Sequence, residues 1–462
     1  MSPEVISIII LALMFIIGTL RGVNMGVLGF VAAFAVGLSA VGMTVDEIAA
    51  GFPVDLFLAL MGLTFLFGFA QNNGSIDFLV RWGLRAVRGR VAAAPWIFFL
   101  LSAILMSIGA IFAIAIVAPL AIPFARKYKI NQLMMGMMVV HGGMAGAFSP
   151  VSVYGVFVNG FLAKEDIPSN ALYMFLASLV FNTLLGTIVY FTMGGRRLIG
   201  VRIAEDGADA PQQGGPTPRP LPVAASAPHG LGSSSSGNSV VSTAAPVTAS
   251  VAAPALMASS ARPRATPFQM LTLLGLAVMA VGTAAFNFDI GVLSLTIACV
   301  LAIVAPKDAK AALAQVSWST VVLVGGVLTY IAVLQQAGTV EFVSAGIAAL
   351  GVPLLAVLLL CYLSGIVSAL ASSLGTIGIA IAIAAPFLSS GELNPIGFVA
   401  AIAISATVVD VSPFSTNGAL VLANIADEDR DRFYRRMLVY SGCIVAFAPA
   451  AAWLIVFVPF PL

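Results

Sequence analysis

Two stretches of this sequence share the pattern Ser-Pro-x-Ser-x-x-Gly. One runs from Ser149 to Gly155 inside FSPVSVYGVF, the other from Ser412 to Gly418 inside DVSPFSTNGAL. Each puts a proline and several hydroxyl or amide side chains into a long run that carries almost no charge. A proline inside a helix removes one backbone donor and crowds the preceding turn. In lipid the released backbone groups must find partners or line a polar cavity. Freed carbonyls and hydroxyls can ligate Na+, whereas the N-terminus of the next half-helix attracts a carboxylate or another anion. A single proline kink whose serines bond back to their own helix is commonplace. Two matched motifs make an ion-binding break in each of two helices the stronger reading.

Other polar residues in apolar surroundings extend the set. Asp410 stands two residues before Ser412, and His141 eight before Ser149. An ionisable side chain inside a membrane span is costly and marks a functional candidate by default. Asp410 is suited to binding Na+, carrying a proton or accepting structural hydrogen bonds. His141, in HGGMAG, is read equally well as a proton carrier or as a histidine satisfied by neighbouring helices. SIGAI (107–111) and SLGTI (373–377) each place a small polar residue and a glycine within an apolar block. They suit the tip of a hairpin, where backbone is exposed, or a tight helix-packing face. Apart from Arg435 and Arg436 at the very start of 434–460, no Lys or Arg lies inside a candidate span, so an anion at mid-membrane would lack a fixed positive partner. A co-bound cation would remove much of that penalty, and Asp410 asks for one as well.

The elements that must position these residues follow from composition. The 462 residues are 60% hydrophobic and 9% charged, with a mean hydropathy of +1.07; soluble domains are about 25% charged. The chain reads as an all-α polytopic membrane protein. Its net charge of +2 and scattered basic residues give no reason to expect a nucleic-acid partner. Cys299, Cys361 and Cys443 sit in apolar runs and imply no disulfide framework. The start, MSPEVISIII, lacks a basic region and reads as a retained first span rather than a cleaved signal.

Spans of about 20 apolar residues fall at 5–20, 23–41, 53–72, 131–160, 170–193, 268–286, 288–305, 316–336, 394–424 and 434–460. The run 394–424 would be about 46 Å long as one helix at 1.5 Å per residue, well beyond a hydrocarbon core of about 30 Å. Blocks 91–125 and 342–391 fit single spans poorly and read as re-entrant hairpins or as paired crossings. Three regions result: a first membrane repeat (1–200), a disordered linker rich in Ala, Pro, Ser and Gly (201–267), and a second membrane repeat (268–462).

The halves read as a duplication. Thr64 and Thr329, and Gln71 and Gln336, are each 265 residues apart. NMGVL at 24–28 and DIGVL at 289–293 are also 265 apart, GSIDF and GTVEF 264, SIGAI and SLGTI 266, and Ser149 and Ser412 263. On that spacing Asp410 matches Ala147, and His141 matches Ile404. Five spans per half, with a hairpin that enters and leaves on one side, invert the second repeat relative to the first. Placing Arg81, Arg85, Arg88 and Arg90 in the cytoplasm then puts there all Lys and Arg but Lys164, out of 21. By the positive-inside rule both termini lie outside the cytoplasm and the linker 201–267 inside it.

The layout of two inverted-topology repeats, each of five transmembrane helices with a re-entrant hairpin and a broken helix, resembles the ion transporter superfamily. That group includes the divalent anion/sodium symporters. GAFSPVSVYGVFVNG and VVDVSPFSTNGALVLAN are most similar to the MatC-type dicarboxylate (malonate) carriers. The resemblance implies that hairpin tips and helix breaks bind substrate and cation. It points to Ser107, Gly109, Ser149 and Ser152 in the first half. In the second it points to Ser373, Gly375, Thr376, Ser412, Ser415, Thr416 and Asn417. The symporters typically carry Ser-Asn-Thr at each tip; this chain has Ser107-Ile108-Gly109 and Ser373-Leu374-Gly375. The resemblance further implies an elevator-like movement, a homodimer and residence in the cytoplasmic (inner) membrane.

The expected function is secondary active transport of small organic anions, dicarboxylates first among them, coupled to Na+ or H+. No other cofactor is expected. Asp410, Ser149 and Ser412 are the candidates for cation coupling and possible Na+ contacts, with His141 a weaker one. The alternative is a cation/proton antiporter of the same fold. No enzyme is expected: the sequence lacks His-Glu-x-x-His, paired membrane aspartates and a Ser–Lys dyad in a span.

Overall fold

A computed structural model of the chain describes residues 2–85, 91–200, 265–286, 288–348, 353–370, 373–389 and 393–458. Of the expected linker 201–267, residues 201–264 lie outside the described residues, as do Arg88 and Arg90, and a helix already begins at Pro267.

The described residues before the linker form ten α-helices: α1 (Pro3–Arg21), α2 (Met25–Val36), α3 (Val45–Ala50), α4 (Val54–Asn72), α5 (Ser75–Arg85), α6 (Ala94–Ser107), α7 (Ala113–Lys127), α8 (Gln132–Gly146), α9 (Val153–Lys164) and α10 (Ala171–Thr192). Those after it form ten more. These are α11 (Pro267–Phe286), α12 (Ile290–Val304), α13 (Pro306–Ala314), α14 (Trp318–Gln336), α15 (Thr339–Ala348), α16 (Pro353–Ser368), α17 (Ser373–Ser389), α18 (Pro395–Val408), α19 (Thr416–Ala423) and α20 (Asp427–Ala452). Among the described residues, six helical segments are long and apolar enough to cross a membrane: α1, α4, α10, α14, the α18–α19 pair, and α20 with its continuation to Phe457. The protein is an all-helical, multi-pass membrane protein over the described residues. Rows of exposed side chains such as Leu13, Ile16 and Leu20 on α1 provide a lipid-facing surface.

Local chemistry starts these helices where they start. Asn131 caps α8 through the Leu133 and Met134 N–H groups, and Asn394 caps α18 through Ile396 and Gly397. Asn24 caps α2 through Gly26, and Thr44 with Glu47 closes a capping box on α3. The long runs 131–160 and 394–424 are each broken: α8 stops at Gly146 and α9 begins at Val153, while α18 stops at Val408 and α19 begins at Thr416.

Packing divides the chain into two sets of helices. In one, α2 lies along α14 and α12 along α4, with α1 against α15 and α11 against α5. Gly26 and Gly326 make the first of these contacts possible, since a Cβ on either would overlap backbone of the other helix. In the other set, α6 and α10 flank α8, α16 and α20 flank α18, and the half-helices α9 and α19 pack on α17 and α7 respectively. Contacts of α9 with α4 and of α17 with α14 join the sets. Each apolar block forms a helix–turn–helix: α6 and α7 have 14 and 15 residues, α16 and α17 have 16 and 17.

One register differs from the sequence reading. Ser107 ends the first arm of its hairpin, whereas Ser373 begins the second arm of the other. The two tripeptides therefore stand on opposite sides of their turns. At the first tip Gly109 has a φ of 107°, the left-handed conformation that favours glycine.

Candidate functional site

The two Ser-Pro-x-Ser-x-x-Gly motifs fold alike. Ser152 and Ser415 are N-caps in extended conformation, and their Oγ atoms accept from the Gly155 N–H at 3.0 Å and the Gly418 N–H at 3.2 Å. The same hydroxyls point back across the break. Ser415 Oγ lies 2.6 Å from the Asp410 carbonyl oxygen and 2.7 Å from that of Ser412. Ser152 Oγ does likewise with Ala147 O and with Ser149 O, the latter at 2.8 Å. Both motifs need glycine at their last position, because a Cβ there would run into the Ser149 or Ser412 carbonyl oxygen. The expectation that the breaks leave carbonyls free to ligate an ion therefore needs amending for these four. One hydroxyl hydrogen is shared between each pair of carbonyls, so the motif largely satisfies the backbone it interrupts.

Asp410 sits in the short 3-10 turn Val409–Val411 that ends the first half of the second break. It is 4% exposed and both its oxygens are occupied: Oδ1 accepts from Ser373 Oγ at 2.6 Å and Oδ2 from Asn417 Nδ2 at 3.2 Å.

A cavity of about 430 Å3 opens beside this cluster. One wall belongs to the hairpins and breaks, with Tyr154, Ser373, Asp410, Thr416 and Asn417 supplying its polar groups. The facing wall comes from the α1–α2 turn and the start of α14, with Asn24, Ser317, Ser319 and Thr320. Asn24 Nδ2 ties the two parts of that wall together by donating to Ser319 O at 2.8 Å and lying 3.0 Å from Ser319 Oγ. Among the described lining residues Asp410 carries the one ionisable acid, and none is Lys or Arg. Four helices begin at the lining: α2, α14, α17 and α19. The dipoles of these four helix starts bring partial positive charge to the lining without a cationic side chain.

Of the residues singled out from sequence, Asp410, Ser373, Thr416 and Asn417 line this cavity. Gly109 lines a much smaller neighbouring one. Ser107, Ser149, Ser152, Gly375, Thr376, Ser412 and Ser415 are not among its lining residues; Ser107 Oγ lies 3.4 Å from Gly146 O. His141 is buried elsewhere, with Nδ1 3.1 Å from Asn182 Oδ1 and Nε2 2.6 Å from Tyr440 Oη, joining α8, α10 and α20. Sequence reasoning did not single out Tyr154, Asn24 or the Ser317–Thr320 wall. The position of Tyr154 inside a repeated motif was the available signal for the first. The others gave none, because a polar residue at a helix start is ordinary.

A family described as the dicarboxylate carrier protein MatC N-terminus matches residues 1–147. The match covers α1 to α8 and reaches Ala147, the first residue after α8. It supports a membrane carrier of dicarboxylates rather than an enzyme. No curated protein matches the chain.

Proposed function

We propose that this protein is a secondary active transporter of small dicarboxylates, coupled to Na+ or H+. The observation that carries the reading is the cavity: four helix N-termini and a fringe of hydroxyls and amides surround one buried carboxylate, with no basic side chain in the described lining. Each helix N-terminus acts as roughly half a positive charge. Four of them match the charge of a dicarboxylate at about −2, which leaves Asp410 as an uncompensated −1. One monovalent cation restores the balance, so substrate and cation favour each other's binding. The family match over residues 1–147 supports the same substrate class.

The rest of the reading concerns how the site moves. The two sets of ten helices are inverted repeats in the manner of the ion transporter superfamily. The pairing of α2 with α14 and of α12 with α4 supports this, as do the two identically bonded breaks. The hairpins are re-entrant, since their arms are about 21–26 Å long at 1.5 Å per residue against a core of about 30 Å. Contacts among helix ends fit the orientation read from charge. Asn24 meets Ser319, Asn73 meets Thr272, and Arg126 meets Glu428 on the basic side. Lys164 meets Gly51, Gln335 meets Glu165, and Tyr173 meets Val456 on the other. The cavity, flanked by Gly22–Asn24 and Ser317–Ser319, then opens to the cytoplasm. Residence in the inner membrane and assembly as a homodimer belong to the same reading.

A cation/proton antiporter is the second reading, favoured by the one carboxylate among the described lining residues. Uptake of labelled malonate and succinate into proteoliposomes, under an inward Na+ gradient, an inward H+ gradient or neither, separates the two. Concentrative uptake with one gradient alone is expected and identifies the cation. No anion uptake, with cation flux driven by a pH gradient, replaces the carrier by the antiporter.

A further inference from the structure

The cavity wall that faces the hairpins and breaks comes from the first turn of α14 and the α1–α2 turn. Ser317 is the N-cap of α14, yet its hydroxyl caps no backbone N–H. Its oxygen lies 2.8 Å from Thr320 Oγ1 instead, and the two residues are buried, 6% and 8% exposed. Two hydroxyls carry two hydrogens. One bridges the pair, and the other has no acceptor among the described residues. Ser319 repeats the pattern. Its oxygen accepts from the Asn24 amide at 3.0 Å, which leaves its own hydrogen uncommitted. Its backbone N–H is unpaired among the described residues as well, as the first turn of a helix allows, while the Ser317 carbonyl takes the N–H groups of Thr320 and Val321. Asn24 is saturated: Oδ1 accepts from the Gly26 N–H, and Nδ2 is spent on Ser319. It orients Ser319 and keeps no donor for a ligand. The wall thus offers spare donors at the positive end of a 19-residue helix, and a carboxylate is the group that such donors bind best.

The matching place in the first half is furnished differently. At the 265-residue spacing, Asn24, Ser317, Ser319 and Thr320 match Asp289, Phe52, Val54 and Asp55. Those four line a separate cavity of about 650 Å3, which Lys164 also lines. The matching positions there hold two carboxylates and no hydroxyl. A helix start in this place therefore packs without hydroxyls, and those at 317–320 have another use.

We infer that the first turn of α14 is a subsite for the second carboxylate of the substrate, reached from the Arg21 side only. This rests on the carrier reading. One carboxylate lies with the cation beside Asp410, and the other accepts from the Ser317–Thr320 pair and from Ser319. A monoanion gains nothing from the subsite, which thereby sets the preference for two acid groups.

The test is malonate uptake into inside-out and right-side-out membrane vesicles, with monomethyl malonate as competitor. The proteins are the wild type, Thr320→Ser, Thr320→Val, and Thr320→Val combined with Ser317→Ala. Thr320→Ser keeps the hydroxyl and controls for packing, and monodispersity in detergent verifies each fold. From the Arg21 side the double variant is expected to raise the malonate KM about tenfold, while the inhibition constant of the monoester and the KM of Thr320→Ser stay within about twofold. From the Lys164 side no variant is expected to change the KM. A malonate KM unmoved by the double variant overturns the inference, as does an equal loss for malonate and its monoester, or an equal loss from both sides. Where the double variant does not fold, Thr320→Val against Thr320→Ser decides by the same comparison. Wild-type uptake with unmoved variants removes the subsite alone. A wild type that neither moves malonate nor is thermally stabilised by it fails the carrier reading and the subsite with it. Stabilisation without uptake fails the carrier reading only, and the subsite is then decided by the stabilisation of the same variants with malonate and with the monoester.

Discussion

Asp410 keeps two different donors on its two oxygens, Ser373 Oγ and Asn417 Nδ2. An asparagine there would keep the shape and one acceptor, its oxygen toward the Asn417 amide and its NH2 toward Ser373 Oγ, which would have to turn from donor to acceptor. It would also have no charge with which to answer a cation. Asp410→Asn is therefore expected to abolish or uncouple transport in protein that still folds, measured as proteoliposome uptake beside a size-exclusion profile. Wild-type uptake with unchanged cation dependence would remove Asp410 from the mechanism. The serines separate into two kinds. Ser152 and Ser415 hold the breaks together, so Ser415→Ala strands the Asp410 carbonyl and the Gly418 N–H, while the Ser412 carbonyl keeps the Ser415 N–H. A buried group left without its partner costs about 1–3 kcal/mol, and the thermal midpoint should fall accordingly. Ser149 and Ser412 bond weakly within their own turns, at 3.5 Å and 3.3 Å. Their alanine variants are expected to weaken cation or substrate affinity. If neither variant changes the concentration dependence of uptake, the motifs are structural kinks only.

At the scale of elements, the breaks are short irregular segments between half-helices, and each closes on a glycine. A methyl group at Gly418 would overlap the Ser412 carbonyl oxygen, and one at Gly155 the Ser149 carbonyl oxygen. Relief requires the turn to open, which would displace Asn417 or Tyr154 on the cavity wall. Gly418→Ala and Gly155→Ala should each destabilise the protein by about 1–3 kcal/mol, as overpacking does, and should reduce uptake more than this loss of stability explains. Thermal midpoints with uptake per folded molecule make the comparison, and near-normal uptake in either variant would contradict the role of the tight turn.

For the whole molecule, the cavity is reached between the α1–α2 turn and the start of α14, while Lys164 marks the opposite end. A cysteine at Ser319 should react with a membrane-impermeant thiol reagent from the side that carries Arg21, and malonate should slow the reaction. A cysteine at Lys164 should react from the other side. Cys299 and Cys443 are exposed and must be replaced by serine first, whereas Cys361 is buried. Labelling of both positions from one side would overturn the proposed orientation, and indifference to malonate would remove the scaffold wall from the site.

Composition and run length were enough to establish a helical membrane protein, because lipid imposes its demand on every residue of a span. The motifs themselves specified where two helices break and which serines cap the resumption, since capping and proline effects act within a few residues. Asp410 was conspicuous for the same reason: a lone acid in an apolar run is costly wherever the run packs. The tertiary structure alone decided that Tyr154 and Ser373 line one cavity, that Ser107 and Ser373 stand on opposite arms of their hairpins, and that Asn24 faces the site. Asn24 and Ser319 are 295 residues apart, and no pattern of neighbours along the chain encodes their meeting. The cavity arises where helices from both halves begin at one place, and only their mutual packing determines that.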